Sequence, residues 1–209
     1  MTDVHALVIT GGPPLTGAAL LPPADLVVAA DRGAEHAALL GLVPDLVVGD
    51  LDSVSAKTLA SMERAGVRIE RHPTDKDQTD LELALTAATD MGATSVTIVA
   101  TTAGRPDHAV ANLLTAAADR WAELDIDLLV DSSRAWVVRR RLDLTDSVGS
   151  VVSLIAVGGP ATGISTTGLW WPMSDGSLEP GVGQGLSNEV SRSPATIEIT
   201  TGTILVITP

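Results

Sequence analysis

The chain has no cysteine, so neither disulfides nor thiolate metal sites are available and its stability rests on packing. Phenylalanine and tyrosine are also missing, which leaves Trp121, Trp136, Trp170 and Trp171 to supply every large aromatic surface. Core packing then falls to Ala, Val, Leu and Ile. Basic residues are scarce: 13 Lys and Arg stand against 26 Asp and Glu, a formal charge of −13. That balance argues against general affinity for nucleic acid or anionic membrane, so any anionic ligand must be met by bound cations or a few placed basic groups. No apolar run approaches the roughly 20 residues that cross a bilayer, and the first residues carry no basic leader region. A cytoplasmic protein is the simplest expectation. Walker-lysine, GxGxxG and GxSxG patterns are all missing, and His5, His36, His72 and His108 show no metal-ligand spacing. His108 is expected to be a satisfied structural histidine.

What is present alternates between strand-like and helix-like segments. Apolar runs at 4–10, 26–30, 46–48, 96–100 and 126–130 predict strands, the first stopping at Gly11-Gly12-Pro13-Pro14. Segments 34–40, 56–65, 79–92 and 107–121 predict helices, with Ser53 or Ser55 capping the second. Thr79-Asp80-Leu81-Glu82 fits a capping box, and Leu81, Leu85 and Ala88 can share one face of the helix it opens. This order predicts an α/β fold with a mainly parallel sheet flanked by helices. After Ser132 the helical period vanishes. Short Val-, Ile- and Thr-rich runs at 135–141, 150–157, 163–169, 189–191, 196–200 and 203–207 predict an antiparallel β-sandwich or barrel. The expected domains are therefore residues 1–132 and 133–209.

Carboxylates fall at informative places. Asp31, Asp50 and Asp52 directly follow predicted parallel strands, where open α/β sheets bind ligands, and Asp77 and Asp80 stand at the head of a helix. Asp50 and Asp52 are two apart and share a side if the backbone is extended; Asp77 and Asp80 are three apart and become neighbours if the helix starts early. Each Asp taken singly also reads as a turn residue or helix cap. Clustered together they repel and are stable only with protons, cations or basic partners present, and oxygen ligands beside phosphates suit magnesium. Lys76 and Arg105 are candidate phosphate clamps or salt-bridge partners. Gly11-Gly12 is a candidate phosphate approach or an ordinary turn. Adjacent Trp170 and Trp171 cannot both enter one core face of a strand, so one of them is expected to be exposed or at an interface.

With these residues assembled, the chain resembles the thiamin pyrophosphokinase family. The matching segments are Ala30-Asp31-Arg32-Gly33-Ala34, Pro44-Asp45, Gly49-Asp50-Leu51-Asp52-Ser53, Lys76-Asp77-Gln78-Thr79-Asp80, Gly104-Arg105-Pro106-Asp107-His108, Thr166-Thr167-Gly168-Leu169-Trp170-Trp171 and Leu186-Ser187-Asn188. The resemblance implies an N-terminal domain binding ATP and Mg2+, a C-terminal β domain binding thiamin, and a homodimer with sites at the subunit interface. It assigns metal binding to Asp50, Asp52 and Asp77, with Asp80 beside them in the catalytic set. Nucleotide contacts fall on Gly11, Gly12, Asp31, Arg32, Gly33, Lys76, Arg105 and Asp107, and substrate contacts on Gln78, Thr79, Trp171, Ser187 and Asn188. Arg32 and Glu35 depart from the Asp-Gly-Gly-Ala-Asn found in many members. The expected reaction is attack of the thiamin hydroxyl on the β-phosphorus of ATP, with Asp80 orienting the hydroxyl or taking its proton. A pyrophosphokinase for another small alcohol, such as a hydroxymethylpterin, and a non-catalytic nucleotide or thiamin sensor are the alternatives.

Overall fold

The structure, a computed structural model, describes residues 3–12 and 21–209; the expected stop at Pro13-Pro14 lies outside them. The chain divides into two compact units, one of residues Met1–Thr115 and Glu123–Ser132, the other of Ala116–Ala122 and Ser133–Pro209.

In the first unit β1 (His5–Ile9), β2 (Leu26–Ala30), β3 (Leu46–Gly49), β4 (Arg68–Arg71), β5 (Ser95–Ala100) and β6 (Asp125–Val130) form a wholly parallel sheet in the order β4-β3-β2-β1-β5-β6. The β-branched, apolar character of β1, β3 and β5 is what burial on both faces demands. β4 escaped the sequence reading because Arg-Ile-Glu-Arg is almost wholly charged. As the edge strand it meets solvent, where charge also discourages pairing with other chains.

Between strands run α1 (Gly33–Leu39), α2 (Ala56–Arg64), α3 (Asp80–Asp90) and α4 (Pro106–Ala116). Ser55, not Ser53, caps α2, its Oγ accepting from Thr58 N at 3.2 Å. Thr79 and Glu82 form the expected capping box on α3, and that helix buries Leu83, Ala84 and Ala87 besides the expected Leu81, Leu85 and Ala88. It packs on β1, β2 and β3. Helix 107–121 is a correction: α4 stops at Ala116, Ala118 is extended, and a 3-10 turn covers Asp119–Trp121. Arg139 Nη2 donates to Ala117 O and Ala118 O, both at 3.0 Å, taking up carbonyls that a longer helix would have used.

The sheet order runs outward from β1 to β4 and then jumps back to β5 on the other side of β1. The carboxyl ends of β1 and β5 therefore flank a topological switch point, the usual ligand crevice of such sheets. Thr10–Gly12, Asp31, Asp50 and Thr101 all follow strands at that edge.

The second unit is antiparallel. β13 (Thr201–Thr208) pairs with β7 (Ser133–Val138) and β9 (Val151–Thr167), while β12 (Ala195–Glu198) pairs with β8 (Arg141–Leu144) and β9. Runs 150–157 and 163–169 are one strand rather than two. β9 runs on past Gly158 and Gly163, both at positive φ, pairing with β13 on either side of Gly158 across a register shift and with β12 beyond Gly163. Run 135–141 is instead two strands, β7 and β8. Short β10 (Gly176–Leu178) and β11 (Asn188–Glu189) also pair with β9. The core of this unit is Val152, Leu154, Ile164, Ile197, Ile204 and Val206 with their aliphatic neighbours.

Candidate active site

Asp31 and Asp50 stand at the ends of β2 and β3, and two positive-φ residues, Asp31 (φ 46°) and Leu51 (φ 63°), turn the chain there. For non-glycine residues this conformation is costly and concentrates at functional sites. The extended alternation expected for Asp50 and Asp52 is not what joins them. Leu51 turns left-handed with its side chain buried, and Asp52 N donates to Asp50 Oδ1 at 3.1 Å. One carboxylate oxygen each from Asp31, Asp50 and Asp52 lies within 4.8 Å of the others. Ser53 Oγ donates a hydrogen bond to Asp31 Oδ2, whereas Asp31 Oδ1 is buried without a hydrogen-bond partner among the described residues.

Lys76 enters this group from the loop before α3. Its Nζ is 3.0 Å from Asp80 Oδ1 and 3.8 Å from Asp50 Oδ2. Burial works against the ammonium, but attraction to Asp80, then Asp50 and Asp31, outweighs it and holds the Lys76 pKa above the usual value. Asp52 is pushed above the usual carboxylate range, first by the charge of Asp50 and then by desolvation and Asp31. Asp80 is raised chiefly by burial, against the opposing pull of Lys76.

Asp77 is not brought into the converging trio. It is exposed, and α3 opens only at Asp80, so the helical neighbourhood expected of Asp77 and Asp80 does not form. Gln78 is exposed too, and Thr79 is occupied by the capping box: its N donates to Glu82 Oε2 at 2.8 Å while its Oγ1 accepts from Glu82 N at 3.2 Å. The glycines are explained by close packing. A Cβ on Gly33 would lie 2.0 Å from Ile9 O, one on Gly12 2.7 Å from Thr101 Cγ2, and one on Gly11 3.1 Å from Arg32 Cβ. Arg32 pairs with Glu35, whose Oε1 accepts from Ser55 N at 3.0 Å and so ties α1 to the cap of α2. That backbone hydrogen bond holds the Glu35 carboxyl below its usual range. Arg105 and Asp107 grip each other in a bidentate exposed pair, which lowers Asp107 and raises Arg105. His108 is exposed on α4; the buried histidine with a hydrogen-bond partner is His36, whose Nδ1 lies 2.9 Å from Thr10 O.

Asp131 was missed by the sequence reading. At the end of β6 it accepts from Thr101 Oγ1 (2.7 Å), Thr102 Oγ1 (2.6 Å) and Thr102 N (2.9 Å), fixing the start of the loop that carries Arg105. These bonds, led by Thr102, hold its pKa below 3.8. Its stabilising contribution is therefore present above that value and fades as pH falls through the lowered one. The only sequence signal was one more Asp after one more strand.

The second unit carries a separate small cleft of about 140 Å³, lined by Leu154, Thr166, Trp171, Met173, Gln184 and Asn188 among others. Trp170 and Trp171 are both exposed, at 62% and 65%, because they lie beyond the end of β9 rather than alternating along it. Asn188 fixes Trp171 by its backbone: Oδ1 accepts from Trp171 N at 3.2 Å and Nδ2 donates to Trp171 O at 2.8 Å. Ser187, at φ 55°, donates its N–H to Ser153 Oγ. Thr166 lay in a family segment without a role assigned to it, and Met173 and Gln184 lay in none. Among the described residues no helix is long and apolar enough to cross a membrane.

Comparison with known proteins supplies independent findings. The family model described as thiamin pyrophosphokinase, catalytic domain, matches residues 18–126, and that described as thiamin pyrophosphokinase, vitamin B1 binding domain, matches residues 139–204. The chain is 24% identical to a thiamine pyrophosphokinase of Bacillus subtilis over 184 residues, covering 87% of this chain and 86% of that one. It is 28% identical to thiamine pyrophosphokinase 1 of Arabidopsis thaliana over 166 residues, 74% of this chain and 61% of that one. The fold is similar to the crystal structure of the Bacillus subtilis enzyme, with a TM-score of 0.84, 23% identity and 98% of each chain covered. It is similar also to thiamin pyrophosphokinase from Candida albicans, with a TM-score of 0.77 and 17% identity over 99% of this chain and 89% of that one.

Proposed function

The chain belongs to the thiamin pyrophosphokinase family, and on that premise we propose that it transfers a pyrophosphoryl group from ATP to the hydroxyl of thiamin, giving thiamin diphosphate and AMP. The observation that carries this reading is the meeting of Asp31, Asp50 and Asp52 oxygens at the switch point of the parallel sheet. An all-oxygen set with one buried, unpartnered carboxylate oxygen on Asp31 fits a hard divalent cation. Asp31, Asp50 and Asp52 would hold magnesium, with exposed Asp77 available to join them. When bound, the ion supplies charge neutralisation to the polyphosphate.

The residues of the chain then have distinct tasks. Lys76 and Arg105 bind phosphate oxygens, Arg105 by exchanging Asp107 for phosphate as its bidentate partner. Gly11, Gly12, Gly33 and Arg32 shape the backbone beside them. Asp80 holds Lys76 and, once nucleotide draws the ammonium away, orients the attacking hydroxyl and takes up its proton. The new bond joins that hydroxyl oxygen to the β-phosphorus, and the bond broken is the one to the α-phosphate oxygen, in line with it. Residues 1–132 serve the nucleotide and residues 133–209 the vitamin. Gln78 and Thr79 lie beside the reacting groups in this reading.

Trp171, set by Asn188 and next to Ser187, offers an indole face to the cationic thiazolium. A cleft of about 140 Å³ covers only part of such a molecule, against the roughly 300–1,000 Å³ of enclosed small-molecule sites; the partner subunit of a cytoplasmic homodimer would supply the rest.

Incubation with ATP, Mg2+ and thiamin should release AMP and thiamin diphosphate in equal amounts. AMP release with a pterin alcohol but not thiamin would move the acceptor, and nucleotide binding without AMP release would leave a sensor. Trp171→Ala should raise the KM for thiamin roughly 3–30-fold, the worth of a cation–π contact, with the melting temperature unchanged. A lower melting temperature with an unaltered KM would make Trp171 a packing residue.

A further inference from the structure

Lys76 is unusual among the basic residues of this protein. Its side chain is only 14% exposed, and its ammonium lies inside the carboxylate group that the proposed function assigns to a divalent cation. Asp80 anchors it at 3.0 Å, and Asp50, itself one of the converging trio, faces it at 3.8 Å. An ammonium there repels a metal ion arriving alone and shares Asp50 with it. A metal ion arriving on a polyphosphate brings oxygens that give the ammonium a new partner.

We propose that Lys76 is a built-in counter-cation that keeps the acidic site from taking up free divalent metal and favours the metal–nucleotide complex. The inference rests on the reading of Asp31, Asp50 and Asp52 as metal ligands. It also gives Asp80 a definite task, because the 3.0 Å contact holds the ammonium against the site until phosphate competes for it. The single ammonium thereby offsets part, not all, of the mutual repulsion of four clustered carboxylates in the absence of metal.

The test is titration of the full-length, nucleotide-free protein with Mn2+ alone, free Mn2+ being followed by electron paramagnetic resonance. Lys76→Gln should bind Mn2+ about tenfold more tightly than the unsubstituted protein, since a like charge a few ångströms from the ion has been removed. Lys76→Arg keeps the charge and should leave Mn2+ affinity within a factor of about three. The Mn2+ complex of a non-hydrolysable ATP analogue should bind Lys76→Gln about tenfold more weakly. Circular dichroism checks each fold, and Lys76→Met, which keeps the aliphatic stem, replaces Lys76→Gln if the latter is unfolded. Unchanged or weaker Mn2+ binding by Lys76→Gln overturns the inference. If Asp50→Asn abolishes binding in that same experiment, the metal site itself stands. If neither the unsubstituted protein nor Lys76→Gln binds Mn2+ alone at millimolar concentration, the inference is overturned, and the metal-site reading fails with it only if the Mn2+–nucleotide complex does not bind either.

Discussion

Asp52→Asn should slow pyrophosphoryl transfer by a factor on the order of 10³ while making the metal-free protein more stable at neutral pH. The two effects have one cause. Asp52 contributes one of three oxygens that lie within 4.8 Å of each other, so the amide removes a charge that would hold the cation. In the metal-free state that charge is a burden, because Asp50 and Asp31 raise the Asp52 pKa above 3.8. A carboxyl whose pKa is raised by folding stabilises the fold below its unfolded value and loses that contribution as pH rises through the folded one. The melting temperature of Asp52→Asn should therefore exceed that of the unsubstituted protein at pH 7, with the gap closing as pH falls toward 3.8. Saturating Mg2+ should reverse the order, since only the unsubstituted site gains from the ion. Steady-state rates and thermal melts with and without chelator read all of this. Undiminished turnover would remove Asp52 from the metal set.

Gly33→Ala should cost about 3 kcal/mol, seen as a fall of roughly 6–12 °C in melting temperature. Gly33 opens α1 directly beneath the end of β1, and an added methyl carbon would sit 2.0 Å from Ile9 O. Backbone on both sides is fixed by the sheet and the helix, so neither can yield cheaply. Whatever movement does occur is passed to Asp31, two residues earlier, and activity should drop beyond the loss of folded protein. Gly159→Ala is the control: its added Cβ meets nothing within 4 Å, and its stability should change by less than about 0.5 kcal/mol. Equal melting temperatures for the two variants would show that the α1–β1 contact is not close-packed.

The alternation of strands and helices was legible because burial on both faces of a parallel sheet forces long apolar runs, and because Thr79 and Glu82 mark a helix start chemically. β4 was illegible for the converse reason: an edge strand needs no apolar face. β9 defeated the reading because glycine bends within a continuous strand look like strand ends.

At the site, Asp50 and Asp52 could be paired from the sequence since they are local. Asp31 was placed with them only as another residue at a strand end; its actual closeness depends on β2 and β3 being neighbours, and Asp77 was credited with a helical position that the cap at Thr79 denies it. Asp131, Glu35 and Asn188 act through hydrogen bonds to backbone 17–29 residues away, which no local pattern encodes. The family segments marked Asn188 without saying that its amide is spent on Trp171.

The most direct measurement is anomalous scattering from crystals of the protein grown with Mn2+ and a non-hydrolysable ATP analogue. The predicted result is a manganese peak ligated by oxygens of Asp31, Asp50 and Asp52 and by phosphate. Manganese bound elsewhere, with those three carboxylates left to solvent or to Lys76, would contradict it.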